Sequence, residues 1–231
     1  MMGTGRIRWV RWVGVLIVLT VAGFFLAWAI LFGINLHARF QAQSLVAAVR
    51  SMQVGSTTLE ESRPLLERQR ASTLPASLTG QYMADTGFYI RVGHENWLRE
   101  RFYFLRYVGL APWGAGAEIY FRDGRLCELR FSVGTEVNKK EEFREAFSLT
   151  TEQSLGKNPF EISGGHVTGG SRYMFTRVHH VRLPTDATSV ERTHAFAYDL
   201  SCVTTLGGCP DVSQVLASKP IRQDWNARHP D

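Results

Sequence analysis

The chain has little cysteine, and none of it lies in a redox or zinc pattern. Cys127, Cys202 and Cys209 are the only three in 231 residues. No C-x-x-C pair exists, which excludes a thioredoxin-type dithiol and the paired knuckles of a structural zinc site. The familiar catalytic signatures are missing too. His94-Glu95-Asn96-Trp97-Leu98 begins like the H-E-x-x-H helix of a zinc protease, but Leu98 stands where the second histidine must bind metal. No serine sits in G-x-S-x-G. The glycine-rich stretch from Gly165 to Ser171 lacks the lysine that a phosphate-binding loop requires. An excess of one charge is also lacking. Of 26 basic residues, Arg6, Arg8 and Arg11 precede the first apolar run, leaving 23 against 21 acidic ones. A domain so balanced has no concentrated basic face, so nucleic acid is excluded as a partner. No internal repeat is present.

One further absence is informative. From Trp12 to Leu36 there is no charged residue. At 1.5 Å per residue such a run crosses a hydrocarbon core of about 30 Å with room for tilt. Backbone groups in lipid must be satisfied within the segment, so the run is predicted to be helical and to take the bilayer as its partner. Trp9 and Trp12 stand at one end, where indole rings favour the interface. Ala27-Trp28-Ala29 has the form of a signal-peptidase site, yet the apolar run continues past it through Ile34. Cleaved signals carry a shorter apolar region, so retention as an anchor is expected. Arg6, Arg8 and Arg11 precede the run, whereas only Arg39 and Arg50 follow it before Glu60. The positive-inside rule then puts the N-terminus in the cytoplasm and the domain in the periplasm or outside the cell. Gly23/Ala27 and Ala29/Gly33 are small-x-x-x-small pairs, the pattern through which two anchors can pack as a homodimer.

The rest is domain-sized and of ordinary globular composition. Residues 1–11 form a basic tail, 12–36 the transmembrane helix, 37–70 a helical membrane-proximal segment, 71–218 the domain and 219–231 a tail. Phe40, Leu45, Val46, Val49 and Met52 continue the helical period beyond the anchor. Gly55 suits a helix C-terminus, and Thr57-x-x-Glu60 or Thr58-x-x-Glu61 is a capping box for a second helix to about Arg70. Residues 71–86 read as a loop and 88–92 as a strand. Trp97, Leu98, Arg101, Phe102, Leu105 and Val108 follow a helical period.

Residues 117–133 alternate as a hairpin around Asp123-Gly124. A two-residue loop would pair Ile119 with Glu128 and mix the faces. A three-residue loop, Arg122-Asp123-Gly124, pairs Ile119 with Cys127 and is preferred. Residues 137–149 read as charged and helical, and 150–170 as a loop. Strands are expected near 172–182 and 192–200, then a short helix capped by Asp211. Two helices followed by paired strands make an α+β domain with a mainly antiparallel sheet.

Cys202 and Cys209 are separated by six residues that include Gly207-Gly208, which can turn the chain back. A small-loop disulfide fits an oxidising compartment; two unpaired thiols or a metal-binding pair are the other readings. Cys127 fits a buried strand position.

Met52-Gln53-Val54-Gly55-Ser56-Thr57-Thr58-Leu59-Glu60-Glu61 and Leu200-Ser201-Cys202-Val203-Thr204-Thr205-Leu206-Gly207-Gly208-Cys209 together resemble uncharacterised single-pass proteins of the bacterial envelope, of the acidobacterial type. That resemblance implies an envelope location and carries over no catalytic residue. The Val54-Gly55-x-Thr57 helix start is also similar to that of BamE-type small lipoproteins, although no lipobox cysteine follows the anchor here.

The function expected is that of a non-enzymatic envelope protein in the cytoplasmic membrane. It would present an interaction or structural domain to an envelope partner, without a cofactor. One alternative is a lipid- or ligand-binding domain using the aromatic segment 97–113. There Trp97, Arg101, Phe102, Tyr103 and Trp113 would form the interaction surface. Another is an anchored hydrolase with a metal held by histidines among His166, His179, His180 and His194. Adjacent His179 and His180 point to opposite strand faces, so at most one of them joins a given site.

Overall fold

The computed structural model describes residues 4–94, 103–140, 143–156, 161–168, 174–209 and 212–216. Its first element is one unbroken helix, α1 (Thr4–Ser51), of 48 residues. At 1.5 Å per residue it is about 72 Å long. Within it, Arg11–Ser51 is long enough, and its N-terminal part apolar enough, to cross a membrane. The N-terminal half carries its apolar side chains exposed, from Trp9 and Trp12 through Phe24, Phe25 and Leu26. Thr20 closes its hydroxyl onto the carbonyl of Leu16 at 2.8 Å, so the run keeps that polar group satisfied internally.

The C-terminal half of α1 behaves differently. Ala38, Ala42, Leu45, Val46 and Val49 recur at helical spacing and are buried against the domain. One face of residues 38–52 is therefore part of the core. Ala38 and Ala42 of the helix and Ala115 and Ala117 of the sheet belong to one buried cluster. The chain then turns at Gly55, where φ is +84°, into α2 (Leu59–Arg68). Thr58 and Glu61 form the expected capping box, and Pro64 lies inside the helix.

Among the described residues seven strands form one sheet in the order β1-β2-β3-β4-β5-β7-β6. They are the two-residue β1 (Ser72–Thr73), β2 (Thr86–His94), β3 (Trp113–Arg122), β4 (Arg125–Lys140), β5 (Phe143–Ser154), β6 (Glu161–Thr168) and β7 (Met174–Leu183). Only β5 and β7 pair in parallel; every other neighbour is antiparallel. A short α3 (Ala76–Gln81) lies between β1 and β2, and α4 (Ser189–Ala195) follows β7. The α+β architecture with a mainly antiparallel sheet is as expected from the sequence. One sheet face carries Ile90, Ala117, Phe131, Leu149 and Val181 into the core under α1.

Several elements differ from the sequence reading. The β3–β4 turn is a two-residue Asp123-Gly124 loop, both residues having positive φ, as a primed hairpin turn requires. The mixing of faces that such a loop implies is relieved by a bulge. Phe121 pairs with Leu126 and Tyr120 with Glu128, so Cys127 is the extra residue and Ile119 meets Leu129. Of the stretch 137–149 read as helical, the described residues 137–140 end β4 and 143–149 begin β5, and the stretch 150–170 read as a loop contributes the end of β5 and all of β6. In place of the expected strand at 192–200, α4 runs to Ala195, held by a Thr188/Glu191 capping box that outweighs the alternating pattern, and 196–200 follows without strand except for a single antiparallel bridge from Tyr198 to Leu216. Within 71–86, read as loop, lie β1 and α3. Val212–Gln214 forms a 3₁₀ turn, and Asp211 lies outside the described residues.

Candidate functional site

Two constellations stand out. The first lies where the domain grips α1. Trp28, Phe32, Asn35 and Arg39 fall on one face of the helix, and each meets the domain. The Trp28 indole N–H donates to the carbonyl of Val108 at 3.0 Å. Asn35 is fully buried; its Nδ2 donates to the carbonyl of Gly109 at 3.0 Å, and its Oδ1 accepts from the Trp113 indole at 2.7 Å. Arg39 Nη1 donates to Thr204 Oγ1 at 2.7 Å. The partners come from two loops, a 3₁₀ turn (Tyr103–Val108) with its continuation and the turn Ser201–Thr204.

These loops meet at Gly109, whose φ is +79°. A Cβ there would lie 3.0 Å from the Thr204 carbonyl oxygen and 3.1 Å from the Phe32 ring, so glycine is required by both conformation and space. The second loop is closed by the Cys202–Cys209 disulfide, with S–S 2.00 Å and Cα–Cα 4.9 Å. Gly208 packs so closely on Ala111 that a Cβ would approach its methyl to 2.9 Å. Helix, aromatic turn and disulfide loop thus form one junction.

The second constellation is a row of charges on the sheet face away from α1. Register alone assembles it: Glu118 opposes Arg130, Arg130 opposes Glu152, Glu152 opposes Arg182, and Arg182 opposes Glu161. Arg182 reaches Glu152 and Glu161 at 2.6 Å each. Arg130 Nε lies 3.0 Å from Glu128 and 3.2 Å from Glu152, and Arg130 Nη1 lies 3.6 Å from Glu118. The Arg130 guanidinium also sits 4.7 Å over the Tyr82 ring, which packs on Tyr120 at 4.5 Å. Burial opposes the Arg130 charge, but Glu128 and Glu152 outweigh it and raise its pKa. His180 stands beside this row. Burial lowers its pKa, Glu152 and Glu161 pull it up, and Arg130 and Arg182 push it down further, with a net decrease. Charges alternating in this way neutralise one another instead of presenting an acid or a nucleophile to a cleft.

The predicted site residues fare differently. Cys202 and Cys209 are joined. Cys127 is buried in β4, where burial pushes its thiol pKa up and keeps it protonated. Trp113 is only 2% exposed and holds Asn35, so its place on an interaction surface is corrected: it is an internal contact of the junction. Tyr103 opens the 3₁₀ turn, while Trp97, Arg101 and Phe102 on the expected helix lie outside the described residues. His179 is buried on the core face, His180 lies on the charged face, and His194 lies on α4. Among the described residues no three His, Cys, Asp or Glu side chains gather as a metal would require. A surface groove of about 470 Å³ between the end of α1 and α2 is lined mainly by Ser51, Gln53, Ser56, Thr57 and Glu61.

Sequence reasoning missed Asn35 and the charge row. Asn35 was legible as the one amide in the uncharged run 12–36, a costly group in lipid that calls for a partner. The row gave no local signal, because its members come from five strands. Comparison with family models, with curated proteins and with solved structures finds no match.

Proposed function

We propose that this chain is a single-pass, non-enzymatic protein of the bacterial cytoplasmic membrane that holds an interaction or structural domain rigidly at the outer surface. The observation that carries the reading is the continuity of α1, whose apolar half is exposed and whose other half is core. No hinge separates anchor from domain, and four side chains of α1 are tied to the domain near the join. Such a device fixes the domain's height and tilt above the bilayer. The N-terminal arginines support a cytoplasmic N-terminus. The Cys202–Cys209 bond supports an oxidising compartment for the domain. The partners that fit are the bilayer through residues 12–36 and another envelope protein. Self-association through Gly23/Ala27 and Ala29/Gly33 is the further option, and a Cβ at Gly23 or Gly33 would meet nothing within 4 Å.

Protease protection in spheroplasts tests the reading. A C-terminal tag on the full chain should be lost to added protease in intact spheroplasts, and the domain should stay with the membrane after alkaline extraction. A tag protected until lysis overturns the orientation. Turnover of an envelope substrate by the purified chain, abolished by one substitution, overturns the non-enzymatic assignment.

A further inference from the structure

We infer that the domain itself touches lipid: the aromatic turn and the tip of the disulfide loop rest in the headgroup region of the bilayer that α1 crosses. The inference rests on α1 being a membrane span, and adds to it a second contact made by Tyr107, Leu206 and Arg39.

Depth along the helix leads to this conclusion. A hydrocarbon core of about 30 Å takes about 20 helical residues. Counted from Trp12, whose indole marks the interface, it ends near Leu31. Trp28 and Phe32 straddle that boundary, and they are the residues touched by Val108 and Gly109. Shifting the span toward Leu36 only places these loops deeper. The domain therefore meets α1 at the lipid boundary, not above it.

The chemistry of the loops agrees with that depth. A backbone carbonyl facing lipid is costly without a donor. The carbonyls of Val108 and Gly109 each receive a side-chain donor from α1, Trp28 and Asn35 respectively. The same two loops expose the kind of side chain that the interface favours: Tyr107 is 61% exposed and Leu206 is 77% exposed. Leu206 sits at the tip of a loop locked by the disulfide and by Gly208 against Ala111, so its exposure is built into the fold. Arg39 lies seven residues beyond Phe32, about 10 Å further out and at headgroup height. Its guanidinium is held by Thr204 and lies 5.1 Å over the Phe40 ring, and no carboxylate pairs with it among the described residues. A lipid phosphate is the anion available at that height, and guanidinium suits it.

The test uses the full chain with Cys127→Ala and the disulfide intact, in vesicles of phosphatidylcholine and phosphatidylglycerol. A single environment-sensitive NBD fluorophore is attached through Ile17→Cys, Tyr107→Cys or Asp123→Cys. The Ile17 probe should be quenched by nitroxide deep in the acyl chains. The Asp123 probe, at the β3–β4 turn, should be quenched only by aqueous iodide. The Tyr107 probe should be quenched by nitroxide near the headgroup and resist iodide severalfold better than the Asp123 probe. If it is as open to iodide as the Asp123 probe, or is shielded from both quenchers as a protein contact would shield it, the lipid seat is overturned. If the Ile17 probe escapes lipid quenching, the spanning reading fails instead. Arg39→Gln should increase iodide access at Tyr107 only when phosphatidylglycerol is present. No change removes Arg39 from the seat.

Discussion

Replacing Asn35 by leucine sets two expectations against each other. By hydropathy the change lengthens the apolar run and should improve the anchor. By the structure it should weaken the protein. Asn35 is fully buried, accepting from the Trp113 indole and donating to the Gly109 carbonyl. Leucine has the same branched shape and number of heavy atoms, so no cavity forms, but it leaves one donor and one acceptor enclosed without partners. Each such group costs about 1–3 kcal/mol, giving about 2–6 kcal/mol for Asn35→Leu. For a chain of this size about 1 kcal/mol moves the midpoint by roughly 2–4 °C, so a fall of at least about 4 °C is expected. The assay is thermal unfolding of the reconstituted full chain, followed by near-UV circular dichroism, with Ile34→Leu on the exposed face as control. A midpoint within 1 °C of the parent's, or above it, would refute the junction as a source of stability.

Other outcomes follow from the same structure. Reducing the Cys202–Cys209 bond, which closes a short loop, should cost about 2–3 kcal/mol in denaturant unfolding. Arg130→Met removes the cation beside Glu128 and Glu152, whose side chains are 4% and 5% exposed, and leaves Glu152 with Arg182, so about 3 kcal/mol should be lost. Glu161→Gln, at the exposed end of the row, should cost less than about 1 kcal/mol in the same titration. The lowered pKa of His180 means that the unfolded chain takes up its proton first as pH falls. Its contribution is complete above pH 6.5 and is lost as pH falls below that value toward the folded pKa. His180→Asn should therefore flatten the decline in stability from pH 7 to pH 5, with Glu152, Glu161, Arg130 and Arg182 facing the position unchanged.

How much could be read from the sequence depended on how local the determining interaction is. The uncharged run, the Thr58 capping box, Gly55 and the disulfide are set by neighbours within about ten residues, and all were legible. The hairpin was legible as a hairpin, but not its bulge. A single inserted residue at Cys127 rescues a register that alternation alone rejects. Strands β5 and β6 were read as a helix and a loop. The charges of Glu141, Glu142, Arg144 and Glu145 suggested a solvated helix, while Gly164-Gly165 and neighbouring hydroxyls suggested a turn. What makes strands of them is a parallel partner, β7, about thirty residues away for β5, together with a row of charges satisfied only in that register. At the junction, Trp113 looked like a surface aromatic because nothing nearby shows that Asn35, 78 residues earlier, takes its N–H.

The most direct test of the account is thiol labelling in intact cells that express the full chain with Cys127→Ala. A membrane-impermeant maleimide is applied before and after reduction by a reductant that does not cross the membrane. The account predicts no labelling before reduction and two labelled thiols after it, because Cys202 and Cys209 are bonded and the domain faces outward. Two free thiols that label only after lysis would contradict it, placing the domain in a reducing interior on the same side as the N-terminal arginines.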